Sequence, residues 1–273
     1  MENLELKMPV GVFHKGNHLN DFVAERLTGN SLKYLHDKQI KRTKPMTWIA
    51  RALSLVVKEI GGSHVASEFR NQNFSTIPPI VQSIPIIDCS YILAACHVEN
   101  YGNMLKNISA RCDLCARQSL FTVDLSDLCI ENMNYEYNDE IVVKLRDGFI
   151  KEGDTSPLGV EGKIWNQYIF EIPKLKHAIK HENLINDDIE FDYQVIASCI
   201  KGIKTAEGEA MLDSTIMLFK DLLIKQLSVY DINLCSSAIK NLPRMKESLD
   251  SKCSNCKDVA NIRIDAVHFF PVG

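Results

Sequence analysis

Strand-type stretches interleaved with amphipathic helical stretches predict an α+β fold, and a Cys-x-x-Cys pair in each half predicts that the fold is built twice. The pairs are Cys112/Cys115, in RCDLCARQSLFTVDL, and Cys253/Cys256, in KCSNCKDVANIRIDA. Cys112 to Cys253 and Cys115 to Cys256 both span 141 residues, and Gly61 to Gly202 keeps the same spacing. Beyond the pairs, Phe121, Val123, Asp124 and Leu125 fall on Ile262, Ile264, Asp265 and Ala266, so the strand alternation stays in phase. The expectation is two related α/β halves, residues 1–133 and 134–273, each ending in a knuckle and a strand, that arose by divergent duplication.

Taken in order, Leu4, Leu6 and Met8 alternate with polar residues, and Phe22 to Leu27 reads as a second short strand. Asn30 or Ser31 caps a short helix towards His36. PMTWIARALSLVVKEIGG is a stronger helix. Pro45 suits its first turn, Trp48, Ala52, Leu55, Val56 and Ile60 form its apolar stripe, and Gly61 and Gly62 stop it. Asp88 opens a helix through CSYILAAC, NMLKNISARC leads extended into the first pair, and SLFTVDL leaves it as a strand. In the second half EIVVKL and NQYIFEI read as strands around the Gly-rich loop DGFIKEGDTSPLGVEG. Helices follow at FDYQVIASCIKGI, capped by Asp187 or Asp188, and at STIMLFKDLLIKQL, capped by Asp213. A third starts at a capping box made by Ser228 and Asp231 and ends before Pro243.

Bulk properties narrow the function classes. The 273 residues, 45% hydrophobic and 24% charged, suit one large or two ordinary globular domains. A formal net charge of −4 gives no global attraction to nucleic acid or anionic lipid. The N-terminus lacks a basic region followed by a continuous apolar one, and the longest apolar run, IPPIVQSIPII, is too broken to span a bilayer. A reducing compartment is expected, where the nine cysteines serve as thiols or metal ligands rather than disulfides.

Two residues between thiolates let one turn of backbone present both sulfurs to one ion, and two such knuckles complete a tetrahedral Cys₄ zinc shell. Cys112, Cys115, Cys253 and Cys256 are thus the candidate ligands of one structural zinc per chain, with no position left for a reacting water. Arg111, Arg117, Lys252 and Lys257 flank the pairs and offset the thiolate charge. His97 or His268 replacing a cysteine is an alternative ligand set. Redox chemistry is a competing reading, but it favours a pair at a helix start, whereas strand alternation follows both pairs. Cys89, Cys96, Cys129, Cys199 and Cys235 sit among apolar neighbours as small core residues.

Catalytic signatures are missing. There is no HExxH, GxSxG, Walker loop or GxGxxG, and His177 and His181 lie beside lysines as solvated side chains. The chain is not expected to be an enzyme. Lys38, Lys41, Arg42 and Lys44 form a basic stretch that reads as a solvated loop before it reads as a phosphate track. A zinc-binding, nucleic-acid-binding regulator remains the runner-up function. Phe269 and Phe270 near the C-terminus are candidate partner-binding anchors, with packing back onto the knuckle's own core as the other reading.

In order, LKMPVGVFHKG, DFVAERLTGNSLKYL, IIDCSYILAACHVENYG before CDLC, VDLSDL, EIVVKLRDG, KQLSVYDINLCSSAIKNLPRMKES before CSNC and the closing HFFPVG span nearly the whole chain. This set resembles the baseplate-hub and tail-assembly proteins of contractile-tailed, T-even-type bacteriophages. Cys89 departs from the resemblance, standing where Arg is expected, and so does Lys257, standing where a knuckle glycine is common. The resemblance implies a non-catalytic structural or assembly component of the tail baseplate, in the virion and, during assembly, in the host cytoplasm. It also implies partners among other baseplate or tail-hub proteins, or copies of itself, and zinc on the four cysteines; neither a membrane nor nucleic acid is expected as a partner.

Overall fold

The structure, a computed structural model, describes residues 6–35, 42–126, 128–132, 140–150, 164–182, 188–208, 210–212, 220–264 and 266–270. The caps expected at Asp187 and Asp213, most of the Gly-rich loop, part of the basic stretch and Asp265 lie outside these residues. The fold is α+β, in two compact units. Met1–Tyr135 and Pro243–Gly273 make the first, and Glu136–Leu242 the second. The expected halves assigned Pro243–Gly273 to the second instead.

In the first unit β1 (Leu6–His14) and β2 (Asn17–Ala24) form a hairpin. Lys15 and Gly16 close it at φ of 49° and 81°, the left-handed conformations that a tight hairpin turn needs. A bulge falls between Lys7 and Val12, at Gly11. There φ is +87°, and a Cβ would lie 2.7 Å from His18 Nε2 and 2.8 Å from the Leu19 carbonyl oxygen, so only glycine fits. After α1 (Gly29–Leu35), Pro45 starts α2 (Pro45–Val56), which buries Trp48, Ala52, Leu53, Leu55 and Val56. Trp48 Nε1–H donates to the Leu35 carbonyl at 3.1 Å, which satisfies the indole as it is buried.

The expected helix stops four residues early. Val57–Ile60 is β3, paired with β2, and Gly61 and Gly62 turn it into β4 (Ser63–His64) instead of ending a helix. The β-branched pair Val56–Val57 gains little from continuing the helix, and the open edge of β2 supplies ladder partners. Short helices α3 (Ala66–Asn71) and α4 (Pro79–Gln82) lead to α5 (Ile86–Tyr101). Apolar over much of its circumference, α5 packs on β1, β2 and α2 with Ile92, Leu93, Ala94 and Cys96 fully buried. Asp88 does not cap it. The carboxylate is buried and accepts N–H bonds from Val10 at 3.1 Å and Gly11 at 2.7 Å, which satisfies the bulge. Hairpin β5 (Met104–Arg111) and β6 (Gln118–Asp124) follows, then the short β7 (Ile130–Glu131).

The second unit is a four-stranded antiparallel sheet of β8 (Glu140–Ile150), β9 (Ile164–Glu171), β10 (Ile200–Thr205) and β11 (Ala210–Leu212), joined in sequence order. The first unit's β1 to β4 sheet has the same order. Helices α6 (Leu175–Glu182) and α7 (Asp188–Ser198) separate β9 from β10. The helix expected to run through CIKGI ends at Ser198, and Gly202 lies within β10, so Gly61 and Gly202 do not mark equivalent positions. Helices α8 (Lys220–Lys225) and α9 (Val229–Lys240) complete the unit. Trp165, Tyr168, Phe170, Ile200, Ile203 and Leu223 fill its core. Ser228 caps α9 by accepting from Asp231 N–H at 3.2 Å, as its position predicted. The Asp231 carboxylate instead reaches β8, accepting from Arg146 at 2.7 Å, Asp147 at 3.1 Å and Gly148 at 2.9 Å. That latch extends the strand through Ile150, into what was expected to be loop.

The chain then returns to the first unit. There β12 (Arg244–Met245) pairs with β7, and β13 (Ser248–Lys252) and β14 (Val259–Arg263) form a hairpin before a 3₁₀ turn at Ala266–His268. Among the described residues no helix is long and apolar enough to cross a membrane.

Candidate metal centre

Two hairpins whose registers match next to their tips build the site. Arg111 pairs with Gln118, Ala110 with Ser119 and Ile108 with Phe121 in one; Lys252 pairs with Val259, Ser251 with Ala260 and Leu249 with Ile262 in the other. These pairs, next to the tips, repeat at 141 residues, and a register shift between Leu105 and Ile108 ends the match further along the first hairpin. At the first tip Cys112 N–H donates to the Arg117 carbonyl at 2.9 Å and Ala116 N–H to the Cys112 carbonyl at 2.8 Å. At the second, Cys253 N–H donates to Asp258 at 2.9 Å and Lys257 N–H to Cys253 at 3.0 Å. Ala116 and Lys257 occupy the same left-handed position, φ 57° and 68°, so Lys257 takes the conformation for which glycine is common. The hairpins lie together because Ser251 Oγ donates to the Thr122 carbonyl at 2.8 Å and Asn255 Nδ2 to the Gln118 carbonyl at 3.2 Å.

This arrangement brings all four candidate ligands together. The sulfurs of Cys112, Cys115, Cys253 and Cys256 lie within 4.8 Å of one another, with Cys112–Cys256 and Cys115–Cys253 both at 3.9 Å. Four sulfurs about 2.3 Å from a central zinc would be spaced about 3.8 Å apart, so the shell fits a tetrahedral ion. Cys253 is further prepared by the Ser119 hydroxyl at 3.2 Å and the Asn255 N–H at 3.4 Å, while Asn255 Nδ2 donates to Ser119 Oγ at 2.7 Å and fixes that hydroxyl. The Ser119 hydrogen bond, followed by the Cys256 N–H, pushes the Cys253 thiol down to about 6. The Asp258 N–H favours a thiolate at Cys256 as well, but desolvation and the neighbouring sulfurs outweigh it and push that thiol up to about 12. A second anionic sulfur is thus disfavoured until a cation shares its charge. Arg111 spends its Nε–H on the Ala116 carbonyl at 3.1 Å, and Lys257 its ammonium on the Ser254 carbonyl at 2.8 Å, so two of the flanking cations also brace the tips.

Among the described residues, no histidine belongs to this cluster. His97 Nδ1–H donates to the Phe269 carbonyl at 2.6 Å. Phe269 and Phe270 are 0% and 3% exposed, inside the first unit against α5, so they do not project as free anchors. Their apolar surface has more to gain inside than at an open chain end. Cys89, Cys96, Cys199 and Cys235 are buried, and Cys129 is exposed.

His177 and His181 are buried, not solvated as expected, because α6 turns both towards the interior of the second unit. His177 Nε2 meets Glu171 at 3.0 Å, and its Nδ1 lies 3.3 Å from Cys199 Sγ and accepts from Lys174 N–H at 3.1 Å. The trio has the residue types of a thiol hydrolase site, with the thiol buried. Cys199 is fully buried, and burial followed by the Glu171 charge pushes its thiol up to about 12, leaving no thiolate to attack at neutral pH. Ser119 and Asn255 carry no motif of their own, and the sequence shows Asp88 and Asp231 only as helix-start residues; the contacts that matter are found through their long-range partners.

Residues 31–270 match the family of the T4 bacteriophage base plate protein. No curated protein and no solved structure gives a significant match.

Proposed function

Because the chain belongs to the T4 bacteriophage base plate protein family, we propose that it is a zinc-stabilised, non-catalytic structural or assembly component of the hub region of a contractile-tail baseplate. The membership itself makes it a phage baseplate protein that associates with other baseplate or tail proteins in the virion tail. The four-cysteine cluster carries the finer reading. It draws on stretches more than a hundred residues apart, and both lie inside the matched span. Zinc held by Cys112, Cys115, Cys253 and Cys256 would have no open coordination position and would act as a clamp between two hairpins, useful in a particle under mechanical load. Other tail-hub proteins, or copies of this chain, are its partners during assembly in the host cytoplasm.

Residues 1–133 and 134–273 descend, in this reading, from one duplicated unit. The support is the shared hairpin register, the matching order of the two four-stranded sheets, and an aspartate in each that latches the bulge of the first strand. Phe269 and Phe270 serve partner binding as the wall of a site, since their own rings are buried.

Zinc content measured on protein purified without added metal tests the reading, in wild type and Cys253→Ser. One zinc per wild-type chain, lost with thermal stability in the variant, supports a single site closed by both pairs. No zinc in the wild type, or full stoichiometry in the variant, refutes it. Infection with a phage carrying Cys253→Ser then asks whether tails assemble.

A further inference from the structure

We propose that the cavity beside the C-terminal aromatic pair is the docking site for an apolar, acidic peptide segment of another baseplate protein, a reading that rests on the function proposed above. The cavity lies wholly within the first unit and measures about 460 Å³. That is inside the range of roughly 300–1,000 Å³ typical of ligand sites. Leu35 of α1 and Phe269 are almost fully buried at its base, while Tyr101 of α5 and Met104 of β5 stand at its mouth, 51% and 43% exposed. His97, Tyr101 and Phe270 form a triangle of rings with centroids 5.1 to 6.2 Å apart. Their mutual packing sets the wall before any partner arrives, so little ordering cost falls on binding. Exposed tyrosine and methionine over a rigid apolar base is the composition of a protein-interface core.

Charge selects the occupant. Among the described residues that line the cavity, Lys106 is the one with a formal charge, and none of them is a carboxylate. A basic segment would leave like charges facing across the mouth; an acidic one supplies the missing counter-charge. The occupant therefore places a bulky apolar side chain over the Phe269–Phe270 wall and an Asp or Glu within reach of Lys106.

An array of overlapping peptides covering the other baseplate proteins of the same phage, and this chain's own sequence, is probed with the full chain. The expected binders pair a bulky apolar residue with Asp or Glu. Met104→Asp and Lys106→Glu each weaken the strongest binder about tenfold or more, and replacing its carboxylate with Lys restores binding to Lys106→Glu. Both positions are exposed, so metal content and thermal unfolding of the variants should match wild type. Binders without an acid, binders indifferent to Lys106→Glu, binders from this chain's own sequence alone, or no binder at all overturn the proposal. If no peptide binds while the chain still assembles into baseplates, docking fails and the function stands. If the chain enters neither baseplates nor their intermediates, the function itself fails and takes the docking site with it.

Discussion

Replacing Asp88 with Ala should unlatch the first strand of the N-terminal unit, by an amount that depends on pH. The buried carboxylate accepts from Val10 and Gly11 at a bulge where φ of Gly11 is +87°, and His18 Nε2–H occupies the Val10 carbonyl at 2.7 Å. Without Asp88 two backbone donors are left buried and unpaired, at about 1–3 kcal/mol each, so a loss of about 2–6 kcal/mol is expected. Burial pushes the Asp88 carboxyl up from 3.8 to about 7, against the opposing pull of the Gly11 and Val10 N–H groups. The folded chain therefore keeps a proton that the unfolded chain releases between those values. Wild-type stability falls as pH rises from 3.8 towards 7 and is flat above that, as far as this group is concerned. From about pH 5 to pH 7 the fall is about 2 kcal/mol, at roughly 1.36 kcal/mol per pH unit until the folded-state group begins to ionise. The Ala variant lacks this dependence, so its deficit against wild type should be larger at about pH 5 than at about pH 8. Urea unfolding can be followed through Trp48, 1% exposed in this unit, with Trp165→Phe as background because the chain has only two tryptophans. A deficit below about 1 kcal/mol at the lower pH, or one that does not narrow between the two, would refute the latch.

Two further substitutions test the polar contacts around the other sites. Ser119→Ala removes the hydroxyl that Asn255 aims at Cys253 Sγ, and should weaken zinc binding about 10–100-fold in competition with a chromophoric chelator while leaving one zinc per chain at saturation. Unchanged affinity would show the contact to be incidental. In the second unit, burial opposes ionisation of Glu171, but hydrogen bonds from His177 and Lys174 outweigh it and hold the carboxyl well below its ordinary 4.5. Its stabilisation is thus present above pH 4.5 and lost as pH falls below that value. Glu171→Gln should cost about 1–3 kcal/mol at neutral pH and reduce the acid sensitivity of unfolding seen by Trp165, and an unaltered acid limb would contradict the assignment.

What was legible in the sequence is what its neighbours in sequence determine. The hairpins at the cysteine pairs close over a few residues, so period-two alternation and the Cys-x-x-Cys spacing were enough to place β6 and β14 in phase and to bring four ligands together. Val57–Ile60 and Ile200–Ile203 read as helix in the sequence because each follows an apolar helical stripe directly, and the strand that draws each into a sheet, β2 or β9, lies well upstream. Asp88 and Asp231 looked like helix-start residues because the acceptance they provide is spent on amides 77 to 85 residues away. The sequence left open whether Phe269 projects or packs back, because its carbonyl is held by His97, 172 residues upstream. These misreadings are not scattered. A helix that yields to a strand, and an aspartate that leaves its own helix to latch a bulged first strand, occur once in each unit and in the same order along the chain. Under the duplication proposed above, copies of one ancestral unit would repeat these long-range constraints together with the hairpins.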